Sequence, residues 1–336
     1  MNLSPKVRKS LDIATRLIIA SLSVSYIIYR IYALPSGQVD VFLKSVISGA
    51  NAIYFVVALA VMMLVNWGIE SLKWKLLINQ SELIGFITAY KAVLGGLPVS
   101  VFTPNRVGEF MGRIFILKKT DPFKAILLTI VGSFSQLLVT LVLGTAAFLN
   151  FAPRLINSLF MESAWFINGI SISLAILSLV AIIIFFNISV LHRISILLPM
   201  KYSARIKNSI DAMADCSRSL LLQTLLLSSF RYAVFSVQFY IAIKLMGLNF
   251  TLAECLMTIP VIYLSLAAIP TLALAELGVR GSVAVFLFGL LLPSHALDAV
   301  ASLAMISAST LIWLINIALP SLAGIIVVFR LKFFRQ

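Results

Sequence analysis

Charge is what this sequence has least of. Asp, Glu, Lys and Arg together make up only 11% of its 336 residues, where a soluble globular domain carries about a quarter. Acids are scarcest, 12 against 26 Lys and Arg. There are two cysteines, Cys216 and Cys255, in segments placed on opposite sides of a bilayer, and they point to neither a disulfide framework nor a metal site. The two histidines, His192 and His295, have no carboxylate or cysteine at ligand spacing, so no metal is expected. No Gly-rich phosphate loop, HExxH or GxSxG element occurs, so neither an enzyme nor a cofactor is expected. What the chain does have is hydrophobic residues, 61% of the total, with a mean hydropathy of +1.07. That excess needs lipid rather than a larger core. The expected class is an all-α polytopic membrane protein forming one membrane-embedded domain, 1–336.

A hydrocarbon layer of about 30 Å takes roughly 20 apolar residues in a helix. Six stretches qualify: 13–34, 53–69, 125–151, 166–190, 220–246 and 300–329. The first follows Lys6, Arg8 and Lys9 and reads as a span rather than a cleaved leader, because no small-residue cleavage site closes it. Two further apolar stretches are interrupted. Residues 85–102 contain Gly95, Gly96 and Pro98 and run into Thr103-Pro104-Asn105-Arg106; residues 256–292 contain Pro260, Pro270 and a polar run from Ala275 to Gly281. Interrupted segments of this kind are expected as re-entrant hairpins, since irregular backbone at membrane depth must be surrounded by protein or line a wet cavity.

Placing both termini in the cytoplasm puts 20 of the 26 Lys and Arg residues on the inner side, as the positive-inside bias requires. The net charge of +14 is thereby assigned to cytoplasmic loops, and no nucleic-acid partner is expected. With this topology, a span, an interrupted hairpin and a span occur twice in opposite directions, at about 50–151 and about 220–330. The pattern is that of an inverted repeat with a site at the repeat interface. Residues 199–219 alternate apolar and basic side chains at helical spacing and read as a cytoplasmic surface helix.

Ionisable groups within the membrane usually face a cavity or each other. Arg106, Glu109 and Arg113 in the first hairpin, and Glu276 and Arg280 in the second, recur at three- and four-residue spacing and share helix faces. An arginine fork matches a phosphate and stays charged, so these five are the candidates for binding a lipid head group. Lys91, and Arg231 with Gln238 seven residues on, are candidate cavity-lining groups of lower rank. Glu70, Lys73 and Lys75 read as interfacial anchors at the inner end of a span. Asn66, Gln136 and Asn316 read as interhelical hydrogen-bonding groups.

Pro104-Asn105-Arg106-Val107-Gly108-Glu109-Phe110-Met111-Gly112-Arg113 resembles the P-x-R-x-G-E-x-x-R stretch in the membrane domain of lysylphosphatidylglycerol synthase/flippase proteins, with one extra residue before Arg113. Pro270 through Leu277-Gly278-Val279-Arg280-Gly281 is similar to that family's second signature. Here Ala275-Glu276 stands where the double glycine is expected, and Gly281 stands where an acid is expected. Trp74-Lys75 resembles its aromatic-basic motif. The resemblance covers about residues 10–330. It implies a flippase-like transporter of a phospholipid or polyprenyl-phosphate-linked lipid in a bacterial or archaeal cytoplasmic membrane, with Arg106, Glu109, Arg113 and Arg280 at the head group. The alternative is an accessory subunit that presents such a glycolipid to a separate envelope glycosyltransferase. The synthases' soluble aminoacyl-transfer domain is not expected, because the sequence stops at Gln336, and lysyl transfer is not expected with it. The sequence sets no oligomeric state.

Overall fold

The computed structural model describes residues 52–101, 103, 107–114, 116–117, 119–158, 164–188, 216–269, 273–292 and 297–329. The 13–34 span, Arg106 and all but the last four residues of the 199–219 surface helix lie outside these. The described chain forms helices α1 (Ala52–Ile78), α2 (Phe86–Val101), α3 (Gly108–Ile114), α4 (Pro122–Ser158), α5 (Ala164–Phe186), α6 (Arg218–Leu245), α7 (Leu252–Ala268), α8 (Ala273–Leu291), α9 (Ala299–Trp313) and α10 (Leu319–Phe329). A five-residue π-helical segment, Leu314–Ala318, joins the last two. Five helical stretches are long and apolar enough to cross a bilayer, and they coincide with five of the six spans expected from hydropathy.

Local chemistry explains several boundaries. The Ser217 side chain accepts the Leu220 amide at the start of α6, and Asp298 does the same for Ala301 at α9. Thr251 and Glu254 close a capping box on α7, satisfying amides that have no intrahelical partner. α7 ends with Ile269 in an extended conformation, as a residue preceding proline prefers. The glycines of α2 do not break it: the helix runs through Gly95 and Gly96 and includes Pro98.

The arrangement is inside-out relative to a protein in water. On α5, Ile172, Ile176, Leu179, Val180, Ile183 and Ile184 are exposed, while Ser171, Ser178 and Ala181 are among its few buried residues. Ser178 lies 3.0 Å from the hydroxyl of Thr145 on α4. Small and hydroxylated residues at helix contacts, with large apolar ones outward, are what a lipid solvent selects. An exposed apolar surface of this extent would aggregate in water.

α1 and α6 pack antiparallel: as numbers fall along α1 they rise along α6 in the pairs Lys73–Ser228, Asn66–Arg231 and Leu59–Gln238. The short α2 and α3 cross closely. A Cβ on Gly96 would lie 2.7 Å from the Glu109 carbonyl, and one on Gly112 would lie 2.7 Å from that of Gly95, so neither site has room for a side chain. The chain enters and leaves this pair on one side, since the Glu82 carboxylate before α2 accepts the Lys119 and Thr120 amides after α3. In the later pair, Phe250 ahead of α7 packs 4.7 Å, centroid to centroid, from Phe288 near the end of α8. Two further glycines mark crossings between the halves. A Cβ on Gly144 of α4 would lie 2.6 Å from Leu264 Cβ and 3.0 Å from the Pro260 carbonyl on α7. One on Gly324 of α10 would lie 2.8 Å from Pro98 Cδ and collide with the Leu94 carbonyl on α2.

Candidate functional site

Where α1, α3, α4 and α6 meet, the interior holds a cluster of charges. Glu70 on α1 lies at its centre. Its Oε1 accepts from Arg113 Nη2 at 2.9 Å, and its Oε2 lies 2.9 Å from Lys73 Nζ and 3.1 Å from Arg231 Nη1. Arg113 also pairs with Glu109, one helical turn earlier on α3. Glu70, Lys73 and Arg113 are 5%, 1% and 3% exposed. These values overturn the anchor reading of Glu70 and Lys73. Both lie on the face of α1 that also buries Asn66, Trp67, Trp74, Leu77 and Ile78, so they point into the protein and not toward an interface.

Among the described residues, three basic side chains share two carboxylates, and the fully buried Arg113 Nε has no hydrogen-bond partner. Aromatic faces hold the guanidinium groups from other sides. Arg231 lies 5.3 Å from the Trp67 ring centroid and 5.1 Å from that of Phe235, and Arg113 lies 6.0 Å from Trp74, within the range of cation–π attraction. The Trp74 indole donates to Thr129 Oγ1 at 2.9 Å. Lys73 Nζ donates to Ser228 Oγ at 3.3 Å, and Ser228 shares a 2.8 Å hydrogen bond with Ser135.

An amide ladder continues from the cluster. Arg231 Nε donates to Asn66 Oδ1 at 2.9 Å, and Asn66 donates to Asn316 Oδ1 at 3.2 Å. Asn316 donates to Gln238 Oε1 at 3.0 Å, and Gln238 donates to the Leu59 carbonyl at 3.0 Å. Asn316 sits in the π-helical segment, a distortion often found at functional positions.

Of the residues singled out by sequence, the structure brings Glu109, Arg113 and Arg231 into one cluster, with Gln238 at the far end of the ladder. Asn66, Gln136 and Asn316 form interhelical hydrogen bonds, as expected. Lys91 lies on the exposed face of α2. Arg280 on α8 is half-buried and within electrostatic range of Tyr263 on α7; α8 also touches α2. Glu276 falls in α8, with its side chain outside the described set, and Arg106 is outside it altogether. The sequence reading missed Glu70 and Lys73 as members of the site. The available signal was their place in the polar stripe Asn66–Glu70–Lys73, at helical spacing on a helix otherwise rich in Val, Leu and Met.

Helices with lipid-facing apolar surfaces around a buried ionic network define a multi-pass α-helical membrane protein. This chain belongs to the lysylphosphatidylglycerol synthase TM region family, whose sequence model matches residues 17–325. No curated protein and no solved structure matches it.

Proposed function

We propose that this protein is a flippase-like lipid transporter of the cytoplasmic membrane, and that the charge cluster recognises the phosphate of a phospholipid or polyprenyl-phosphate-linked lipid. The observation that carries this reading is the buried Arg113 Nε–H, which has no hydrogen-bond partner among the described residues. A buried donor without an acceptor is unfavourable, and a phosphate oxygen would supply that acceptor in a charge-assisted hydrogen bond. Family membership supports the lipid class. The head group binds between the two hairpins, with Arg113 and Glu109 on one side and Arg280 on the other, while the hydrocarbon chains stay in the bilayer.

An alternating-access cycle would rest on an inverted repeat of residues about 50–151 and about 220–330. Antiparallel α1 and α6 support it, as does the return of each short-helix pair toward the side it entered. So do the matched contacts in which a glycine of each half's last span meets the proline-containing short helix of the other half. At 16 and 7 residues, α2 and α3 are each too short to cross a layer of about 30 Å at 1.5 Å per residue, which suits a re-entrant hairpin.

The test is head-group translocation in proteoliposomes, read as the fraction of a fluorescent phospholipid protected from a membrane-impermeant quencher. Arg113→Gln and Arg280→Gln should each slow translocation by at least about tenfold, the scale of one charge-assisted hydrogen bond. Arg113→Lys, which keeps the charge and loses the fork, should fall between. Translocation at the wild-type rate in a folded Arg113→Gln protein would remove the cluster from the mechanism. Lipid binding by the wild-type chain with no translocation would favour the accessory-subunit reading.

A further inference from the structure

Lys73 differs from the two arginines of the charge cluster in one chemical respect. A guanidinium keeps its proton in proteins, whereas an amine can be charged or neutral. Lys73 is almost wholly buried, and its surroundings can hydrogen-bond either form. Among the described residues, Glu70 Oε2 receives no directed hydrogen bond, although Lys73 Nζ and Arg231 Nη1 both lie at ion-pair distance from it. Glu70 therefore holds Lys73 by charge, and the amine directs a hydrogen bond to Ser228 Oγ. Ser228 and Ser135 share a bond in which either hydroxyl can donate, and Ser135 Oγ lies 2.8 Å from the Gly132 carbonyl. With an ammonium on Lys73, the donors run outward from Nζ to Ser228, to Ser135, and on to the Gly132 carbonyl. With a neutral amine the two hydroxyls turn about. Ser135 then donates to Ser228, and Ser228 donates to the Nζ lone pair.

The charged groups around this amine come from three helices. Glu70 lies on its own helix, Arg113 with Glu109 behind it on α3, and Arg231 on α6. α4 faces it with Ser135 and with Gly132, where a Cβ would lie 3.7 Å from Lys73 Cε. The ionisable residues of α2, also packed on α1, are Tyr90 and the exposed Lys91, and the π-helical segment has none.

We propose that Lys73 is a proton-binding site linked to the head-group site, a linkage that rests on the phosphate reading above. Its amine takes up one proton when a phosphate enters the cluster and releases it when the phosphate leaves. Lys73 and Arg231 share one carboxylate oxygen and repel each other, and an anion beside Arg113 offsets that repulsion. One N–H bond forms at Nζ, with a proton drawn from water on the side to which the site is open, and no other bond changes. Glu109, whose side chain is 20% exposed, is the least buried carboxylate of the cluster and marks the way in.

The test is binding of dioleoylphosphatidylglycerol to the purified full-length chain in detergent, by microscale thermophoresis from about pH 6 to about pH 10. The phosphodiester of this lipid keeps its single negative charge throughout, so a proton taken up on binding belongs to the protein. The bound state holds the extra proton, so wild-type affinity should fall as pH rises, by about tenfold per pH unit over part of the range. Lys73→Arg, whose charge cannot be lost, and Lys73→Met, which has none, should each bind with the same affinity at every pH, Lys73→Arg the more tightly. Wild-type binding that is constant across the range would overturn the linkage and leave the phosphate reading standing. No binding at any pH would remove the phosphate reading and the linkage with it. A pH slope that persists in either variant would place the proton on another group, such as Glu109, and overturn the assignment to Lys73. The wild-type profile decides the linkage by itself, whatever the stability of the variants.

Discussion

Glu70 is the residue on which the interior depends most. Its carboxylate is the shared counter-charge of Lys73, Arg113 and Arg231, and Glu70, Lys73 and Arg113 are almost wholly buried. Glu70→Gln keeps the shape and removes the charge that Lys73, Arg113 and Arg231 share. Removing one partner of a buried ion pair costs about 3–5 kcal/mol, so the variant should lose about that much stability in detergent unfolding. Adding Lys73→Met removes one of the stranded cations and should recover part of the loss. A double-mutant cycle over Glu70 and Lys73 should show coupling well beyond the few tenths of a kcal/mol typical of independent sites. A Glu70→Gln protein as stable as wild type would mean that the cluster is not the structural centre it appears geometrically. On the neutral side of the network, Asn316→Ala would leave Gln238 without one donor and Asn66 without its acceptor, at about 1–3 kcal/mol, read in the same unfolding assay.

Among the elements, the α2–α3 crossing is the most demanding. Gly112 faces the backbone of Gly95 and Gly96, and backbone cannot swing aside as the end of a side chain can. Gly112→Ala must push α3 away from α2, shifting Glu109 and Arg113 together and loosening their hold on Glu70. It should lower thermal stability and slow the proposed lipid translocation. Gly85→Ala, with nothing within 4 Å of the added methyl, should do neither. The sequence made this region legible as an interruption but not as a contact. Gly95, Gly96 and Pro98 signalled irregularity, whereas α2 is continuous and the glycines serve close approach. Spans were readable because length and hydropathy are additive along the chain. The burial of Glu70 and Lys73 was not, because hydropathy counts a charge without saying which way it faces. Only the stripe through Asn66, Glu70 and Lys73 carried the direction. The π-helical turn at Asn316 had no local signal at all, since it depends on partners 250 and 78 residues away.

Over the whole molecule, the elements sort their connections onto two faces. On one, Glu82 ties the start of α2 to the start of α4, and Cys216 ahead of α6 reaches Gln80 at 3.7 Å. The opposite ends of α1 and α6, near Ala52 and Leu245, lie on the other face because the two helices are antiparallel. The first face carries Lys119 and Lys124, so the positive-inside bias predicts that it faces the cytoplasm. Single cysteines read this directly. Leu83, 86% exposed, sits in the α1–α2 connection, and Asn249 is exposed in the α6–α7 connection, while native Cys216 and Cys255 are buried and give little background. A membrane-impermeant maleimide should label Asn249→Cys in intact cells and Leu83→Cys only after permeabilisation or in inside-out vesicles. The reverse result would invert the protein and place the charge cluster nearer the outer leaflet. Labelling of both positions in intact cells would contradict the two-faced arrangement itself, and with it the inverted repeat and the alternating-access cycle proposed above.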